Sequence, residues 1–278
     1  MSEEKIVSWK DFTFDEESVI EEVFLDGKLF SGVCVDYYDN GQKRYEGKFK
    51  NGKKDGLWIT WYENGQKETE VYFTNWKEEG LWTEWYDNGQ KKMEGNLKNG
   101  KEVGLFTYWC EVGVKESEVH YEEDKEEFFK IDYWLTTGQK RTEGYMKRQV
   151  KDDRWRPDGH WVDWWLNGKK ANEQNYKDGK ADGLWITWHE NGQKTDEGHY
   201  KDSKPVGLWN HWYEDGQKQF EGCFEDGKAE GFWIHNYKNG QKKSTGNFKG
   251  GEKDGLWTEW SEDGEKTFEG NFVDGKEQ

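Results

Sequence analysis

The sequence predicts an all-β protein: an elongated repeat fold in which about ten to eleven β-hairpins stack into a single meandering antiparallel sheet that can curl into a groove. Three observations carry this prediction. The dodecamer GLWITWYENGQK at Gly56 returns as GLWITWHENGQK at Gly183, and looser copies begin at Gly80 and Gly207. Each copy is a short aromatic and β-branched run that ends in Asn-Gly or Asp-Gly, the pattern of a strand entering a tight hairpin turn. The chain is only 32% hydrophobic, yet 17% aromatic. Disordered acidic chains lack such aromatics, so stability must come from large rings on a charged frame.

The repeat units start at Gly32, Gly56, Gly80, Gly104, Phe129, Gly159, Gly183, Gly207, Gly231 and Gly255, and most steps are 24 residues. A degenerate unit fits at Val7, with Trp9, Phe12, Glu21, Phe24 and Gly27 in register. The organisation is therefore a degenerate capping repeat over 1–31, regular repeats over 32–128, an irregular repeat with an insertion over 129–158, and regular repeats over 159–278.

Within a unit, LWITWY forms the first strand and a type I′ turn sits at Asn64-Gly65, with positive φ at both residues. A second strand follows, and NGKKDG or DGKADG makes the return. A two-residue turn there pairs Trp58 with Val71, Ile59 with Glu70 and Trp61 with Glu68. In most units the partner of the first Trp is Gly, as for Trp82 with Gly95 and Trp209 with Gly222, so each indole fills the gap over its cross-strand glycine. Strand alternation then puts the first Trp, the Tyr, the Gly and the late aromatic (Phe49, Phe73, Tyr121, Phe224) on one face. Leu, the second Trp and a Glu column from Glu46 to Glu269 lie on the other.

YEGKFKNGKKDG at Tyr45 resembles the MORN repeat, and GLWxxWYxNGQKxxEGxYKxGK resembles its bacterial variant, over roughly residues 7–278. The resemblance implies stacked hairpins without catalytic machinery. Bacterial proteins of this variant are frequently labelled antitoxins or immunity proteins, and eukaryotic MORN proteins are more often scaffolds near membranes. The stretch 111–158 departs from the pattern.

No catalytic constellation stands out, and the chain reads as a non-enzyme. A catalytic carboxylate pair occurs once, whereas the Glu column recurs in nearly every unit, which fits cross-strand pairing with Lys. The six His residues occupy scattered columns. Cys34, Cys110 and Cys223 are far apart and odd in number, which suggests neither a disulfide frame nor a metal site. No cofactor is implied. The N-terminus has no apolar leader and no long apolar run occurs, so the expected home is the cytoplasm, without a membrane span.

The formal charge of -17 points to a basic protein partner, with no direct nucleic-acid binding. The expected role is a protein-interaction module, an antitoxin or inhibitor that blocks a basic toxin or nuclease. A structural scaffold or membrane-associated module is the alternative, and a ligand-binding aromatic repeat protein a second one. Candidate contact residues are the second tryptophans Trp61, Trp85, Trp109, Trp134, Trp164, Trp188, Trp212 and Trp260. Arg154 and Arg156 join them, in an insertion where Lys147, Arg148 and Lys151 add further positive charge.

Overall fold

The structure, a computed structural model, describes residues 6–8, 11–14, 22–149 and 152–278. Trp9, Glu21 and Lys151 lie outside the described residues. The architecture is all-β, a meander of antiparallel hairpins, and the chain divides into two compact units, 1–138 and 139–278.

In the first unit the strands Gly32–Tyr37, Lys43–Lys50, Lys53–Trp61, Lys67–Thr74, Lys77–Trp85, Lys91–Lys98, Lys101–Trp109, Lys115–Tyr121 and Glu127–Tyr133 pair with their sequence neighbours. The N-terminal segment is not another stacked hairpin. Ile6–Ser8 pairs in parallel with Val33–Val35, and Thr13–Phe14, Val23–Leu25 and Lys28–Leu29 form a separate three-stranded sheet. Its Phe12 and Phe30 pack on Phe49 at ring distances of 5.5 and 6.1 Å, which covers the end of the ring column. In the second unit the meander runs from Lys140–Arg148 to Lys266–Val273, followed by the short strand Lys276–Glu277.

The type I′ turn expected at Asn64-Gly65 lies instead at the other turn of the repeat. Tyr62 N–H donates to Gln66 O and Gly65 N–H to Tyr62 O, both at 2.9 Å. This is a three-residue loop, Glu63-Asn64-Gly65, in which Gly65 alone takes a positive φ, +84°. It is a type I turn closed by a bulge, not a type I′ turn. The I′ geometry sits at the return, where Asn51 and Gly52 both have positive φ, +49° and +74°.

The longer loop offsets the register by one residue, and a second bulge beside it restores the register. Trp61 therefore faces Lys67 and not Glu68, while Thr60, Ile59 and Trp58 face Thr69, Glu70 and Val71. The bulge residue also breaks the alternation of side chains, so Lys67 and Glu70 share a face and pair at 2.5 Å along one strand. Lys43–Glu46, Lys194–Glu197 and Lys218–Glu221 repeat this contact. The Glu column is thus paired along its own strand, where cross-strand pairing was expected.

The indoles also cover different glycines from those expected. Trp209 is paired with Gly222, yet the ring lying on Gly222 belongs to Trp233, one repeat further on. Likewise Gly95, the partner of Trp82, is covered by Phe106. A bulge in most returns frees a carbonyl for the indole N–H: Trp58 donates to Lys48 O at 3.0 Å and Trp257 to Asn247 O at 2.9 Å. Trp58, Trp161, Trp209, Trp233 and Trp257 each stitch their own hairpin to the preceding one in this way. Edge-on contacts continue the column, with Trp233 at 5.0 Å from Phe224 and 5.6 Å from Phe248.

The loop asparagines add a second stitch. Asn64 Nδ2 donates to Asp87 O at 2.7 Å while its Oδ1 accepts from Gln66 N–H at 2.9 Å. Tyr62 OH donates to Trp85 O at 2.8 Å. The same contacts recur around Asn88 and Tyr86.

Candidate functional site

The second tryptophans end the first strand of each hairpin, on the face opposite the stitched indoles. All eight candidates are half-buried. A lysine of the preceding repeat lies over six of them, at 5.5 Å for Trp61 and Trp85 and 5.7–5.9 Å for Trp109, Trp164, Trp188 and Trp212. The lysines over Trp61 and Trp85 are Lys43 and Lys67, each paired in turn with a carboxylate. A Trp–Lys–Glu row therefore tiles this face as a largely self-satisfied surface. Trp260 accepts the Tyr237 hydroxyl on its carbonyl at 2.8 Å.

Trp134 does not belong to this column. The return before Glu127–Tyr133 carries no bulge, and Glu118 faces Ile131 as Glu94 faces Thr107. The irregular unit therefore begins one residue earlier, at Phe128. Tyr133 takes the second-Trp position, with Lys115 at 5.3 Å from its ring and its hydroxyl donating to Glu118 at 2.5 Å. Trp134 falls in the tyrosine column instead.

The insertion carries its own counter-charges. Arg148 forms a two-point pair with Asp153 at 2.5 and 2.9 Å, and Arg156 pairs with Asp152. The stem of Arg156 packs over Gly179. The Arg154 carbonyl accepts Gln149 N–H at 2.8 Å, and its side chain is exposed.

The leucine column that alternation assigns to this face lies exposed beside the tryptophan row, though it was not among the candidate contact residues. Leu81, Leu105, Leu208, Phe232 and Leu256 are 50–56% exposed. Their signal was available: each directly precedes a ring of the stitched column, so strand alternation turns it outward.

On the ring face, burial together with Asp36 and Asp11 pushes the Cys34 thiol up to about 12. This leaves it a packed, unreactive group. His211 Nδ1 lies 2.6 Å from Asp196, and His211, Phe220, Trp233 and His235 form a stack of rings. Burial holds His235 below the ordinary histidine range, with Lys243 and Lys253 adding to the effect. Among the described residues no group of three or more His, Cys, Asp or Glu side chains could hold a metal. No described helix is long and apolar enough to cross a membrane.

The register, the paired turns and the stitched rings define a hairpin-repeat protein. Six segments, 30–51, 54–75, 78–99, 157–178, 181–202 and 205–226, match the family described as MORN repeat variant, and together they cover just under half of the chain. No curated protein matches it in sequence. Among solved structures, the TcdB2-TccC3-TEV crystal structure aligns over 91% of this chain and 16% of its own at 9% identity and a TM-score of 0.19. The Photorhabdus luminescens Tc holotoxin pore aligns over 90% and 16% at 10% identity and a TM-score of 0.18. The chain spans under a fifth of the length of the chains it matches.

Proposed function

We propose that this chain is a protein-interaction module that binds and blocks a basic protein, in the manner of an antitoxin or nuclease inhibitor. One observation carries the reading, the placement of the charge. Residues 1–138 hold 31 of the 58 acidic residues but only 18 of the 41 basic ones, so 13 of the 17 net negative charges sit in the first unit. A stitched sheet is a rigid presenter of such a field, and a partner evolved to hold phosphate backbones carries the complementary one. Activity is by occlusion, not catalysis, in a reducing cytoplasm.

The test is capture. Immobilised chain is exposed to lysate of its source cells, bound proteins are identified by mass spectrometry, and each is assayed alone and with stoichiometric chain. A basic nuclease or toxin that elutes with salt and loses activity on addition supports the reading. A partner that is acidic, or held equally at low and high salt, refutes it.

A further inference from the structure

We propose that the first unit carries a receptor pocket for a basic side chain of its protein partner, floored by Trp82 and walled by Glu78 and Glu102. The proposal rests on the reading above and names where the contact is made.

The pocket is a product of the repeat. One repeat earlier, the residue equivalent to Glu78 is Lys54. Its ammonium lies 4.2 Å from the centroid of Trp58, 4.9 Å from that of Phe73 and 5.5 Å from that of Trp76. Near the C-terminus, Lys253 sits in the same way at 4.3 Å from Trp257 and 5.0 Å from Phe272. In both places the fold supplies its own cation to the ring face, a favourable contact for a partly desolvated indole.

At Trp82 all three components differ. Lys54, Phe73 and Trp76 are replaced by Glu78, Leu97 and Gly100. Val71 also stands where Gly47 lies under Trp58, so the Trp82 ring cannot lie as Trp58 does; the internal cation is exchanged for an anion, and the loss of the Trp76 indole leaves space. The resulting pocket measures about 380 Å³ and is lined by Thr69, Val71, Glu78, Trp82, Leu97 and Glu102 beside Gly100. The glutamates of the repeat column, such as Glu70, Glu94, Glu197 and Glu221, each meet a lysine three residues earlier. Among the described residues, neither the Glu78 nor the Glu102 side chain makes a hydrogen bond or ion pair.

An aromatic floor, apolar flanks and two unpaired carboxylates fit an alkylammonium or guanidinium group on an aliphatic stem. Lys54 beside Trp58 shows an ammonium taken up against an indole of the neighbouring repeat. The surrounding unit, with its 13 excess negative charges, draws such a group in and disfavours an anionic one.

The test uses the full chain and a fluorescently labelled hexalysine peptide, with binding read by anisotropy at about 50 mM salt. Glu78→Lys recreates the Lys54 arrangement and fills the pocket from within. Glu63→Lys makes the same charge change at an exposed loop tip. The expected result is an affinity loss of about tenfold or more for Glu78→Lys and less than about threefold for Glu63→Lys. Should Glu78→Lys not fold by circular dichroism, the double change Glu78→Gln with Glu102→Gln must give the same loss. Equal losses in the pocket and loop-tip variants, or no binding by the unaltered chain, overturn the pocket. Capture of a basic partner that Glu78→Lys leaves unchanged overturns the pocket while the interaction reading stands. Failure of capture by the unaltered chain concerns that reading instead.

Discussion

Substituting Gly222→Ala tests the stitch between hairpins. A Cβ added at Gly222 would lie 2.1 Å from Cδ2 and 2.3 Å from Cε2 of Trp233, far inside van der Waals contact. The indole has little freedom to retreat. It is only 5% exposed, its N–H donates to Cys223 O at 3.2 Å, and Phe224 and Phe248 hold its edges. Overpacking of this kind costs about 1–3 kcal/mol, and losing the indole hydrogen bond adds about 1 kcal/mol. A total near 3 kcal/mol corresponds to a fall in Tm of about 10 °C for a cooperative unit of this size. Thermal and urea unfolding followed by circular dichroism measure it. The clash also predicts coupling: Trp233→Leu, destabilising alone, should relieve part of the Gly222→Ala cost, as contacting pairs do in double-mutant cycles. A Gly222→Ala cost below about 0.5 kcal/mol, or strictly additive effects of the two changes, would refute the view that this ring and not the hairpin partner covers the glycine.

Three further outcomes are expected. Trp209→Ala, which empties a 7%-exposed ring position, should cost about 3–5 kcal/mol. Glu197→Ala, which removes only the solvated pair with Lys194, should cost about 0–1 kcal/mol; equal shifts in urea midpoint would mean that both faces are packed. Asn191→Ala removes the donor to Glu214 O at 2.6 Å and the acceptor for Gln193 N–H at 2.8 Å. It should lower stability by about 1 kcal/mol, and Asn191→Asp, which keeps the acceptor, by less; a neutral Asn191→Ala would show that the loop ladder adds nothing. His235 is held below its ordinary value, so the unfolded chain binds its proton more readily. Stability should therefore be full above about pH 6.5 and fall as pH drops below that value, ahead of the carboxylates, and His235→Gln should flatten this part of the profile; identical profiles for the two chains would contradict the burial of this ring.

The sequence by itself determined the repeat length, the all-β class and the sorting of columns to faces. Each is a local property: periodicity, strand propensity and alternation need no distant contact to be read. The hairpin register at Trp58, Ile59 and Glu70 was legible even though the turn was misread, because the three-residue loop and the bulge beside it offset one another. Tertiary structure decided what lies between hairpins. Whether an indole covers the glycine of its own hairpin or of the preceding one depends on the return bulge that frees a carbonyl such as Lys48 O, and a Gly-rich turn does not announce its bulge. The same missing bulge before Glu127 moved Trp134 out of its expected column. The contact surface was legible only in outline for a related reason. Trp61 and its equivalents stand out in composition, but the lysine of the neighbouring repeat occupies their rings. Glu78 looked like any other carboxylate until stacking brought it into one pocket with Trp82, at the repeat position that Lys54 holds one unit before.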